Sequence, residues 1–145
     1  MIIQNVGAGD IPVANHFNCG SNSMLIQISD PVIYGEPVTP WFPVPKHDFK
    51  EVHQFEFLDI EDSDIYAEKY GITDQQAAEL VRLLKHAIDN QMNVIVHCFA
   101  GVCRSGAVAE VGTMMGFDDY GSFRIPNTRV KSKMMHVLGW TYHDN

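Results

Sequence analysis

At 145 residues, 46% hydrophobic and 19% charged, the chain has enough apolar content for one proper core and hardly for two, so a single domain spanning residues 1–145 is expected. The formal net charge of −8 argues against non-specific nucleic-acid binding and against docking on an anionic membrane, since both need a basic face. No apolar run approaches the ~20 residues of a membrane span, and Met1-Ile2-Ile3-Gln4 lacks the charged start and long apolar stretch of a signal peptide, so a cytoplasmic protein is expected.

In chain order, Met1 to Val6 and Met24 to Ile28 read as strands joined by Gly- and Ser-rich turns. Between Asp30 and Pro45, five prolines at 31, 37, 40, 43 and 45 forbid regular structure. Tyr34, Trp41 and Phe42 are too apolar for a free loop there, so the segment either packs down by its aromatics or forms a wall beside the site. Gln54 to Asp59 alternates apolar and polar and runs into carboxylates at Asp62 and Asp64, which predicts a strand ending in an acidic loop. Tyr66 to Gly71 reads as a short helical turn. Thr73-Asp74-Gln75-Gln76 has the capping-box pattern, and Ala77, Leu80, Val81, Leu84, Ala87 and Ile88 form one apolar helical face to about Asp89.

Asn93 to His97 has the composition of a buried strand. Ser105 to Met115 carries Ala107, Val108, Val111, Met114 and Met115 at helical spacing. The last helix follows Arg124-Ile125-Pro126-Asn127, with Asn127 as its cap and Val130, Met134, Val137, Leu138 and Trp140 toward the core. Between the buried strand and its following helix lies Cys98-Phe99-Ala100-Gly101-Val102-Cys103-Arg104-Ser105. A loop that opens a helix presents unpaired backbone N–H groups and the positive end of the helix dipole, a ready site for a tetrahedral dianion. Gly101 supplies the backbone freedom such a loop needs.

Each side chain of that loop has a chemical task. Arg104 offers a planar, permanently charged fork for two phosphate oxygens. Cys98 sits where amides, dipole and Arg104 all favour the thiolate, which makes it a nucleophile at neutral pH. Ser105 can hydrogen-bond the sulfur, and His97 braces the loop rather than acting as a base. Phe99, Ala100, Gly101, Val102 and Cys103 bring backbone amides and no positive charge, so a singly phosphorylated substrate is favoured. Cys103 is either a small packing residue or a thiol that traps oxidised Cys98, a part Cys19 could also play.

Three cysteines suit a reducing compartment better than a disulfide framework. With His16, His47, His53, His86, His136 and His143 they show no zinc spacing, and neither metal nor cofactor is expected.

The run His97-Cys98-x-x-Gly101-x-x-Arg104-Ser105 resembles the signature of the cysteine-dependent protein tyrosine phosphatase superfamily, especially its compact dual-specificity-like members. The resemblance extends as a pattern from about Met24 to Leu138, and Arg124 followed by Pro126-Asn127 is also similar to the family. It implies an α/β domain, a three-layer sandwich with a short, mainly parallel central sheet and the site at the strand C-termini. It also implies a general acid in the loop after Phe57.

Asp59 continues the face of Phe55 and Phe57 and is the first choice for that acid, with Asp62 and Asp64 as alternatives that reach back if the loop folds over the pocket. The expected activity is hydrolysis of a phosphomonoester through phosphocysteine, on a phosphorylated protein or peptide, most readily phosphotyrosine, by a monomer. Two other readings stay open, a rhodanese-like sulfurtransferase and a non-catalytic phosphate-binding module.

Overall fold

The computed structural model describes residues 1–16, 19–33 and 40–142. Tyr34, Pro37 and His143 of the sequence analysis lie outside the described residues. Five strands, β1 (Ile2–Gly7), β2 (Ser23–Ser29), β3 (Glu51–Glu56), β4 (Asn93–Cys98) and β5 (Asp118–Asp119), form one sheet in the order β3-β2-β4-β1-β5. Every pairing is parallel, so all five C-terminal ends emerge on one edge. The fold is α/β and consistent with a phosphatase-like domain.

Position in the sheet follows from side-chain character. β4 lies centrally, and its Val94, Ile95 and Val96 are fully buried because both faces and both edges are covered. β3 is an edge strand with alternating exposure, as its mixed Glu, His and Gln composition requires. The other edge, β5, is two aspartates long, and its brevity and charge leave little template for a further strand.

Four helices accompany the sheet: α1 (Ala67–Tyr70), α2 (Asp74–Asp89), α3 (Arg104–Met115) and α4 (Thr128–Val137). Side chains from α2, α3 and α4 join Ile3, Ile26, Ile28, Phe57, Val94 and Val96 in one core on one face of the sheet. On the other face Ile2, Val6, Leu25 and Ile95 are covered by Ile11, Cys19 and Phe49, from a 3-10 turn and irregular chain. Among the described residues, the third layer is therefore made without an α-helix. Among the described residues, no helix is long and apolar enough to cross a membrane.

The capping box of α2 forms in full, with Thr73 accepting from the Gln76 amide and the Gln76 side chain accepting from the Thr73 amide, each at 3.0 Å. Asn127 caps α4 by accepting from the Val130 amide at 2.9 Å.

Several boundaries and faces differ from the sequence reading. β3 begins at Glu51 and ends at Glu56, so Asp59 stands three residues beyond the strand; the Phe57 amide still bonds the Ser29 carbonyl of β2, and the Leu58 amide bonds the Tyr70 carbonyl on the open side. Met114, Val137 and Trp140 are exposed. Helical spacing puts Val137 and Trp140 toward the core and counts Met114 in the apolar pattern of α3, but α3 and α4 each end before a further layer covers them. The strand Asp118–Asp119 was not anticipated, since two acidic residues carry no strand signal.

Candidate active site

The signature loop is held from outside by its carbonyls. Phe99 O accepts from the Ala8 amide (3.1 Å), Gly101 O from Asn5 Nδ2 (2.7 Å), Val102 O from the Ile125 amide (3.2 Å) and Cys103 O from the Asn127 amide (3.0 Å). With these carbonyls turned outward, amides are free to face the centre, and those of Gly101 and Ser105 hydrogen-bond the Cys98 sulfur. Gly101 has φ +76°, and a Cβ there would collide with the Val6 carbonyl carbon and lie 2.5 Å from the Gly7 nitrogen. The loop therefore seats against the end of β1, which only glycine permits.

Cys98 ends β4 and is buried, and Ser105, in the first turn of α3, brings its Oγ to 3.1 Å from the sulfur. Burial alone pushes the Cys98 thiol up. The Ser105 hydroxyl and amide, the Arg104 charge and the Gly101 amide outweigh it and bring the thiol below its ordinary value.

Arg104 is 5% exposed. One terminal nitrogen donates to Asp30 Oδ1 (2.7 Å) and to the Phe57 carbonyl (2.8 Å), while its buried Nε has no partner among the described residues. A buried guanidinium N–H without an acceptor is costly unless a ligand supplies one. The arrangement suits an oxyanion lodged between Arg104, the loop amides and the sulfur.

His97 is fully buried, and burial drives it down to about 4, against a weaker raising effect of the Cys98 carbonyl. It is neutral at pH 7, with Nδ1 3.3 Å from the Cys98 carbonyl oxygen. Its Nε2 is buried with no partner among the described residues.

The three candidate acids part company. Asp64 accepts from the Tyr66 amide (2.8 Å) and shapes its own turn. Asp62 pairs with buried Arg129 (2.7 Å), whose other nitrogens bond the Ile72 carbonyl. Asp59 is exposed, accepts from Asn127 Nδ2 (2.7 Å) and lies beside the Cys103 thiol, which burial, the Asp59 charge and its hydrogen bond, and Cys98 raise above its ordinary value. Of the three, Asp59 alone is tied to the rim of the loop.

Sequence reasoning missed Asn5, Asp30 and the bond from Asn127 to Asp59. Asp30 follows the apolar strand β2 directly, the same signal that singled out the acid after Phe57. The other two carry no local signal, because their partners lie 96 and 68 residues away. Among the described residues, no group of His, Cys, Asp and Glu is placed to hold a metal ion.

Trp41 and Phe99 meet edge to face at 6.0 Å between ring centres. With Ala8, Ile28, Ser29, Asp30 and Arg104 they line a cleft of about 190 Å³ beside the loop. Trp41 is fixed there by its amide donating to Ser29 Oγ (2.7 Å) and by Gln27 Nε2 donating to the Pro43 carbonyl (2.8 Å). Of the two readings of the proline-rich segment, its Trp41 portion takes the part of a wall.

Comparison with protein families finds a match to the model described as Tc-R-P: Polymorphic toxin system, DSP-PTPase phosphatase, over residues 59–113. The matched span starts at Asp59, passes through α2, β4 and the signature loop, and ends inside α3. No curated protein matches the chain. The family match falls on the same loop that carries the signature resemblance, and by both the chain is similar to the dual-specificity-like cysteine phosphatases.

Proposed function

We propose that the chain hydrolyses phosphomonoesters through a phosphocysteine intermediate, with phosphotyrosine in proteins or peptides as the preferred substrate class. The observation that carries this reading is the buried Cys98 sulfur, held 3.1 Å from Ser105 Oγ and brought below its ordinary pKa beside an arginine whose buried Nε lacks an acceptor among the described residues.

The steps follow from that placement. A phosphoryl group seated on the loop amides and Arg104 presents phosphorus to the Cys98 thiolate. The S–P bond forms as the ester P–O bond breaks, and the leaving oxygen takes a proton from Asp59. The Asp59 carboxylate then removes a proton from an entering water, whose oxygen attacks phosphorus. The S–P bond breaks, and the Ser105 hydroxyl hydrogen-bonds the departing thiolate. His97 keeps the loop in register and serves as neither acid nor base, since burial lowers its pKa to about 4 and makes its ring a poor base. The absence of a cation among Phe99 to Cys103 supports a substrate bearing one phosphate.

Turnover of p-nitrophenyl phosphate tests the reading, with thiosulfate as the control for sulfurtransfer. Cys98→Ser abolishes turnover and retains vanadate binding; Arg104→Lys loses both rate and binding, because a point charge cannot span two oxygens. Turnover by Cys98→Ser, or cyanide-dependent use of thiosulfate by the wild type, overturns it.

A further inference from the structure

The cleft beside Arg104 has a composition that phosphate binding does not explain. Its walls are the rings of Trp41 and Phe99 with Ala8 and Ile28, and at one side stands the Asp30 carboxylate, about half exposed. Asp30 Oδ1 holds the same guanidinium that would hold the phosphate, at 2.7 Å. Once a phosphate dianion and the Cys98 thiolate share Arg104 with Asp30, several negative charges converge on one cation. Among the described residues lining the cleft, Arg104 is the sole cation. The basic residues of the α3 and α4 side are already committed, Arg124 to Glu110 and Asp119, Arg129 to Asp62, and Lys133 to Asp74.

We propose that this cleft is a subsite for a cationic side chain, arginine or lysine, flanking the phosphorylated residue of a protein or peptide substrate. The inference rests on the phosphatase reading above and names the substrate class that the site selects. A volume of about 190 Å³ exceeds the roughly 150 Å³ that accommodates a benzene ring, so an arginine or lysine stem fits. The stem lies along Ala8 and Ile28, as long cationic side chains do on apolar surface. The charged head meets the faces of Trp41 and Phe99 and the open side of the Asp30 carboxylate. It supplies the charge that the phosphate-loaded site lacks. A second phosphate or a glutamate at the same place adds to the repulsion.

Three phosphotyrosine peptides, identical except for arginine, alanine or glutamate on both sides of the phosphotyrosine, test the subsite. Binding to Cys98→Ser is measured by calorimetry, and kcat/KM with the wild type, beside p-nitrophenyl phosphate. The arginine peptide is favoured over the glutamate peptide by about tenfold in both measurements, and added salt compresses the ratio. Asp30→Asn in the Cys98→Ser background brings the two peptides to within about twofold. Trp41→Leu lowers the arginine peptide's advantage over alanine, which keeps the test open if the Asp30 variant folds poorly.

Equal binding of arginine and glutamate peptides overturns the subsite, as does an Asp30→Asn effect that falls alike on all three, because the carboxylate would then act only by positioning Arg104. Hydrolysis of p-nitrophenyl phosphate without peptide ranking leaves the phosphatase reading standing and removes the subsite. Ranking by Cys98→Ser without any wild-type hydrolysis does the reverse.

Discussion

Replacing His97 with asparagine should remove a pH dependence of stability that the fold builds into the active-site strand. His97 is fully buried, and burial lowers it from 6.5 to about 4 in the folded chain. On unfolding the ring returns to water and its ordinary value. Between pH 6.5 and 4 the unfolded chain therefore binds the extra proton, and stability falls as pH falls through that window. Each pH unit is worth about 1.4 kcal/mol, so the folded state loses about 3 kcal/mol across it through this one ring. Above pH 6.5 both states are neutral at this position and the contribution is flat.

Asparagine keeps a donor near the Nδ1 position that faces the Cys98 carbonyl, 3.3 Å away, and cannot titrate. Urea denaturation of wild type and His97→Asn at half-unit steps from pH 7.5 to 4 measures the effect, because the difference between them cancels the carboxylates and other histidines. The wild type is expected to lose about 3 kcal/mol relative to the variant over the window. A difference independent of pH would mean that His97 is hydrated or charged in the folded chain, and its role as a neutral brace would fail.

Other outcomes follow from contacts at the loop. Asp59→Asn should cost roughly 10²–10⁴ in rate on phosphotyrosine and erase the basic limb of the pH–rate profile, with a smaller loss on an activated aryl phosphate; Asp64→Asn should stay within a few-fold of wild type, and Asp62→Asn should lower the melting temperature through Arg129 more than it lowers the rate. Loss of the basic limb in Asp62→Asn instead would transfer the acid to the far side of the loop. Gly101→Ala should abolish vanadate binding, because its Cβ meets the Val6 and Gly7 backbone; retained binding would show that the loop reseats. If Cys103 traps oxidised Cys98, mild peroxide gives a Cys98–Cys103 bridge in mass spectra and none to Cys19, whereas sulfonic acid without a bridge leaves Cys103 a packing residue. The Cys19 carbonyl accepts from Asn93 at the start of β4, and Cys98 ends that strand roughly 16 Å away, far beyond disulfide reach. A Cys98–Cys19 bridge would refute the packing of β4.

What the chain declares locally, the fold keeps. The anion cradle from Cys98 to Ser105 is written within eight consecutive residues because a strand end, a glycine with positive φ and a helix start are all short-range events. The α2 capping box and the Asn127 cap are legible for the same reason, since each bond spans three residues. Tertiary structure alone decides what surrounds that cradle. Asn5 reaches Gly101 and Asp30 reaches Arg104 because parallel strands deliver their C-terminal ends to one edge, and Asn127 reaches Asp59 because the start of α4 docks on the loop through the Asn127 amide and the Cys103 carbonyl, whatever their separation in sequence. The choice among Asp59, Asp62 and Asp64 is likewise geometric. The three share one residue type within a six-residue stretch, and only the packing of Arg129 and Asn127 against the loop gives each carboxylate a different neighbour. Periodicity reports which side of a helix is apolar, but not how far the next layer extends, and Met114, Val137 and Trp140 consequently face solvent.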